Sequence, residues 1–126
     1  RPSTNIEVGQ SYIEQLRDQP FTGGLLPKVI AAYNAGPTPV AAWNSQVRDK
    51  GDPLLFMESL PYYETRAYVN IVMRNYWMYQ IQGKGSADCL TGMAQGLWPT
   101  FPTSKGMKLV RLSKADGRGS MGGGSD

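Results

Sequence analysis

Apolar residues recur along this chain at helical spacing, in short runs closed by glycine and proline. Ile6, Gly9, Ile13 and Leu16 follow one helix face until Pro20, behind Thr4 and Glu7, which read as a capping box. Phe21-Thr22-Gly23-Gly24 is a turn. Leu26, Val29, Ile30 and Tyr33 then fall at i, i+3, i+4 and i+7. That places a second helix near Pro27, stopped at Gly36-Pro37, with Gly36 suited to a left-handed cap. Thr38-Pro39 reads as the start of a third helix, with Val40, Trp43 and Val47 as its buried stripe and an end near Gly51. Asp52-Pro53 repeats that signal for a short helix over Leu54–Ser59.

The longest run, about Pro61 to Gln82, is apolar nearly all round between Val69 and Tyr79, which predicts a central, buried helix. Arg66, Asn70 and Arg74, spaced by four, mark its wet stripe. A weaker helix spans about Ala87–Gln95, followed by an extended strap, Trp98-Pro99-Thr100-Phe101-Pro102, docked on the helices. No alternating run is long enough for a sheet strand, so the fold class is all-α. The shorter helices supply little cover for a long helix buried on all sides, which points to packing surface from outside the chain.

Composition narrows the chemistry. With 126 residues, this is one domain or a piece of one. There is no His, which removes Ser-His-Asp and Cys-His nucleophiles and the commonest metal ligand. The single Cys89 cannot form an internal disulfide or a Cys-rich zinc site and reads as packing. No phosphate-binding glycine loop precedes a helix, and no apolar stretch reaches the length of a membrane span. The net charge of +3 lies in residues 103–126, with five basic and two acidic groups; the body before them is balanced. Nucleic acid is therefore not an expected partner. Carboxylates, tyrosines and amides remain for catalysis.

Those groups gather in two segments. In Ala31-Ala32-Tyr33-Asn34-Ala35-Gly36-Pro37, Tyr33 and Asn34 sit at a helix end. There they either face a cleft suited to sugar hydroxyl and N-acetyl groups or are core and helix stop. In Glu58-Ser59-Leu60-Pro61-Tyr62-Tyr63-Glu64-Thr65-Arg66-Ala67-Tyr68-Val69, Glu64 and Tyr68 are one helical turn apart. Glu64 is either an acid tuned by a cleft or a first-turn carboxylate favoured by the helix dipole. Arg66 points elsewhere and is expected to pair with a carboxylate such as Glu58.

Taken together, these segments, with Trp43, Phe56-Met57, the lead-in Asn5-Ile6, Gly9, Tyr12 and Leu16, and the 35-residue step from Tyr33 to Tyr68, closely resemble the soluble lytic transglycosylases over about residues 5–80. The resemblance implies a lysozyme-like, mostly helical domain, truncated at its N-terminal side and ending in an irregular tail. Residues 1–82 would be the C-terminal part of the transglycosylase domain, 83–104 a short helix and docking strap, and 105–126 a basic, Gly/Ser-rich disordered tail. It implies cleavage of peptidoglycan glycan strands between N-acetylmuramic acid and N-acetylglucosamine, in the bacterial periplasm or cell envelope. One Glu serves as acid and then base, the product is a 1,6-anhydro sugar, and the resemblance implies no metal or cofactor.

The family's catalytic Glu-Ser and its Gly-Leu-Met-Gln motif precede the part that matches Asn5-Ile6, and neither is found upstream here. Glu58-Ser59 resembles a later segment. The resemblance therefore carries over a supporting catalytic role for Tyr68 and substrate-side roles for Tyr33, Asn34, Glu58, Glu64 and Arg66. The missing N-terminal part of the domain becomes the expected partner, besides the glycan strands. A non-catalytic peptidoglycan-binding module and a hydrolytic lysozyme of the same architecture are the rival expectations.

Overall fold

A computed structural model describes residues 2–47 and 49–112, with side chains from residue 10 onward. Among the described residues there are six helices: α1 (Pro2–Arg17), α2 (Leu26–Ala35), α3 (Pro37–Gln46), α4 (Pro53–Glu58), α5 (Tyr63–Lys84) and α6 (Asp88–Ala94). A two-residue antiparallel ladder joins β1 (Trp98–Pro99) to β2 (Leu109–Val110), with Trp98 opposite Val110. The fold of the described residues is all-α apart from this hairpin. The backbone of α1 already runs from Pro2. The expected Thr4–Glu7 capping box concerns side chains outside the described residues.

The centre of the molecule is α2. Every residue from Leu26 to Ala32 is buried, and α1, α3, α5 and β1 all pack on it. Ala31 and Ala32 leave its surface low enough for close approach of neighbouring helices. This corrects the expectation for the long helix. On α5 only Thr65, Val69, Met73 and Gln80 are buried, a narrow stripe of mostly four-residue spacing. Ile71, Met78, Tyr79 and Ile81 of α5 are exposed. An apolar composition all round a helix shows that it could be covered, whereas burial requires elements that cover it.

Boundaries shift for local reasons. Gly36 has φ +95° and ψ 158°, a left-side extended conformation rather than a left-handed helical cap, and its N–H donates to Ala32 O at 2.8 Å. That geometry turns the chain directly into α3, so Pro37, not Pro39, is the first helical residue. Helix α3 then stops at Gln46, short of the expected Gly51, with the Val47 N–H bonded to Trp43 O. The Asp52-Pro53 start is observed: Asp52 accepts from Leu54 N at 2.9 Å and Leu55 N at 3.3 Å. Helix α5 is closed by Gly85 in a left-handed conformation.

The strap docks. Trp98 is fully buried, and its indole N–H donates to Gly51 O at 2.8 Å. Phe101 N donates to Gly24 O at 2.8 Å, and Leu25 pairs with Thr100. Residues 105–112, expected to open a disordered tail, instead fold back to complete the hairpin. Leu109 lies over Gly92 so closely that a Cβ there would stand 2.7 Å from a leucine methyl. The remainder of the expected tail, 113–126, lies outside the described residues. Cys89 is buried, and burial pushes its thiol up to about 11, as expected for an inert packing residue.

Candidate functional site

The C-terminal end of α2 meets the first turns of α5, because the turn at Gly36 stops α2 before it leaves that helix. Two cavities flank the meeting point. The first, about 480 Å³, has walls from α1 (Ile13), α2 (Leu26, Val29, Ile30, Tyr33), α5 (Tyr68, Val72, Tyr76) and the strap (Phe101, Pro102). Its lining is aliphatic and aromatic, with the three tyrosines as its polar-tipped groups. The second, about 470 Å³, is lined by Asn34, Ala35, Tyr62, Tyr63, Glu64 and Thr65.

The candidate residues are therefore divided. Tyr33 and Tyr68 share the first cavity, while Asn34 and Glu64 share the second. Consecutive residues at the last turn of α2 thus face different chambers, since neighbours on a helix point about 100° apart. Tyr33 is 41% exposed and is met by Tyr12 of α1, with ring centroids 6.0 Å apart. Glu64 and Tyr68, although one turn apart, line different cavities. Glu58 is exposed at the end of α4 and lines neither cavity.

Arg66 is placed differently from the expectation. Among the described residues the ion pair formed is Arg17–Asp18 at 2.9 Å, and Arg66 does not pair with Glu58. Its guanidinium donates to Leu60 O, six residues earlier, and lies 5.7 Å from the Tyr63 ring centroid. The cation thus ties the turn before α5 to the first turn of that helix.

Residue reasoning passed over Thr65. It is buried, and its hydroxyl donates to Asn34 Oδ1 at 2.7 Å, locking the amide from α2 onto α5. The signal was available: Thr65 heads the buried stripe that continues through Val69 and Met73 at steps of four. Lys28 and Asp49 were also passed over. Both are buried near Trp98 of the strap, Lys28 with its ammonium 5.3 Å from that ring and Asp49 accepting from Gly51 N, and neither lines a cavity. Burial lowers Lys28 to about 8, against the opposing pull of Asp49. Burial raises Asp49, countered first by its hydrogen bond from Gly51 N.

Among the described residues no cluster of three His, Cys, Asp or Glu side chains could hold a metal ion, and no helix is long and apolar enough to cross a membrane.

Residues 1–56 match the family model described as the transglycosylase SLT domain. The soluble lytic murein transglycosylase of Salmonella typhimurium is 39% identical over 97 residues, 77% of this chain and 14% of that protein. A run of that length in 126 residues necessarily takes in Tyr33 through Tyr68. The soluble lytic murein transglycosylase of Escherichia coli K12 is 39% identical over 72 residues, 57% of this chain and 11% of that protein. The putative soluble lytic murein transglycosylase of Haemophilus influenzae is 36% identical over 81 residues, 64% of this chain and 13% of that protein. The chain thus spans about one seventh, or less, of the length of these curated relatives. No solved structure matches it.

Proposed function

The chain belongs to the soluble lytic transglycosylase family, and we propose that it forms the C-terminal part of a domain that cleaves peptidoglycan glycan strands in the cell envelope. In that reaction a carboxylic acid protonates the oxygen linking N-acetylmuramic acid to N-acetylglucosamine. The bond from that oxygen to C1 breaks. The same group, now a carboxylate, takes the proton of the muramyl 6-hydroxyl as its oxygen closes on C1. The product is a 1,6-anhydro sugar, no water is consumed, and the acid is regenerated. One carboxyl group in two roles replaces the pair used by most glycosidases.

The observation that carries the assignment of roles is the distribution of acids. Among the described residues, the cavity holding Tyr33 and Tyr68 has no carboxylate in its lining, and the second cavity has Glu64, which is exposed. A general acid for a glycosidic oxygen works in a site closed to water, and Glu64 stands open to solvent. We assign the acid to a glutamate from an upstream part of the same domain. Tyr68 supports that glutamate by hydrogen bonding. Tyr33, Asn34 and Glu64 contact the glycan. Arg66 positions the start of α5, and Glu58 is left without a contact role.

Two preparations test this. The 126-residue chain alone should release no anhydro-muropeptides from sacculi. The chain joined to its upstream segment should release them, and Tyr68→Phe in the joined protein should slow release at least tenfold. Release by the isolated chain, or undiminished turnover of the Tyr68 variant, would refute the assignment. The acid-free cavity also favours a second reading, a module that holds strands without cutting them. That reading predicts binding to peptidoglycan fragments with no new reducing or anhydro ends from either preparation.

A further inference from the structure

Two tyrosines at the start of α5 have no part in the roles assigned above, yet they are the most unusual surface groups of the second cavity. Tyr63 is 76% exposed and Tyr62 is 50% exposed. Aromatic rings of this size remove large apolar area from water when covered, so two adjacent exposed ones at a cavity call for a reason.

Both rings are braced from behind. Tyr62 stands edge-on to the buried Trp43, with centroids 4.8 Å apart and ring planes at 84°. Tyr63 carries the Arg66 guanidinium over one face, and Arg66 is itself held by Leu60 O. A braced ring has already lost much of the rotamer freedom that a ligand would otherwise have to remove. Beside the rings, the Asn34 amide is oriented. Its oxygen accepts from Thr65, so its NH₂ is the end left for a ligand.

We propose that Tyr62 and Tyr63 form a stacking platform for a 2-acetamido pyranose, with the Asn34 NH₂ donating to the acetamido carbonyl oxygen. The apolar face of the pyranose lies on the open face of Tyr63. The edge bearing the acetamido group turns toward Asn34, and Glu64, at the same cavity, accepts from sugar hydroxyls. This rests on the glycan-binding reading given above and adds to it which residues select for the N-acetyl group. Among the described residues, the apolar first cavity offers no comparable donor beside its tyrosines. The second cavity therefore sets sugar identity.

The test is a titration of the 126-residue chain with tri-N-acetylchitotriose, followed by tyrosine and indole resonances in NMR spectra, with cellotriose as the probe lacking acetamido groups. The platform predicts that cellotriose binds at least about tenfold more weakly than chitotriose. Tyr63→Ala should weaken chitotriose binding about tenfold, while Tyr63→Phe stays within about twofold. Asn34→Asp keeps the acceptor for Thr65 and loses the donor. It should bring the affinities for chitotriose and cellotriose together, removing the preference. Chitotriose binding that is unaltered in Tyr63→Ala, or a preference that survives Asn34→Asp, overturns the platform and leaves the glycan-binding reading intact. No binding of either sugar by the unmodified chain overturns both. The ring of Tyr63 is mostly in solvent, so its loss does not threaten the fold; unchanged circular dichroism checks this.

Discussion

Replacing Lys28 with methionine should stabilise this protein, and the gain should vanish at alkaline pH. Lys28 is 1% exposed, with its ammonium 5.3 Å from the Trp98 ring and 5.6 Å from the Phe56 ring. The rings and Asp49 recover part of what dehydration removes, but burial still lowers the group from 10.5 to about 8. A drop of that size corresponds to about 3 kcal/mol of stability withheld while the lysine is charged. The sign follows from proton counting. Between pH 8 and 10.5 the unfolded chain keeps a proton that the folded chain has shed, so stability rises with pH, by at most about 1.4 kcal/mol per unit. Below pH 8 both states are protonated and the penalty is present in full.

Methionine keeps most of the apolar stem and discards the charge. It also leaves Asp49 without its cation, which offsets part of the gain. The expected net at pH 7 is about 1–2 kcal/mol in favour of Lys28→Met. Urea unfolding of both proteins at pH 7, 8, 9 and 10, followed by tryptophan fluorescence, measures the difference directly. Groups common to both proteins, such as Cys89 and Tyr76, cancel in it. The variant's advantage should shrink steadily above pH 8 and reverse by pH 10. A difference that stays level from pH 7 to pH 10 would show that burial does not tax the charge, and would refute the argument.

Other consequences are checked more briefly. Gly92→Val should displace Leu109 and open the hairpin, because even a Cβ at that position meets a leucine methyl at 2.7 Å; protease sensitivity between Thr103 and Leu112 should rise while α2 stays protected in hydrogen exchange. Thr65→Val should lower stability by about 1–2 kcal/mol, since the isosteric change removes the donor to Asn34 from a buried position, as read by a thermal melt. Cys89 should resist thiol reagents at pH 8 in the folded protein and react promptly in urea. Because its thiol is raised to about 11, the unfolded chain ionises first, so Cys89→Ala should flatten a loss of stability that otherwise sets in above about pH 9.

Helix existence was legible in the residue pattern because the signals are local. The Asp52-Pro53 start, the stop at Gly36 and the stripe of α2 each depend on a few neighbouring residues. The docked strap was legible for a similar reason, since Trp98 and Phe101 are too apolar to lie loose. Residues 109–112 were not legible, because a two-residue ladder leaves no periodicity. The separation of Tyr33 from Asn34 and of Tyr68 from Glu64 was not legible either. Spacing tells which residues share a helix face, but the chambers are bounded by the strap, α1 and the turn before α5.

By itself, then, the sequence determined the helical fold class, the family and the gathering of tyrosines, amide and carboxylate near the α2–α5 meeting point. Periodicity, caps and motif spacing are properties of the chain read along its length. The tertiary structure decided which helix is central, where Arg66 spends its charge, and that a buried threonine orients Asn34. Those depend on which surfaces meet, because burial is a relation between elements. The exposed outer face of α5, apolar in sequence and uncovered among the described residues, is the clearest case.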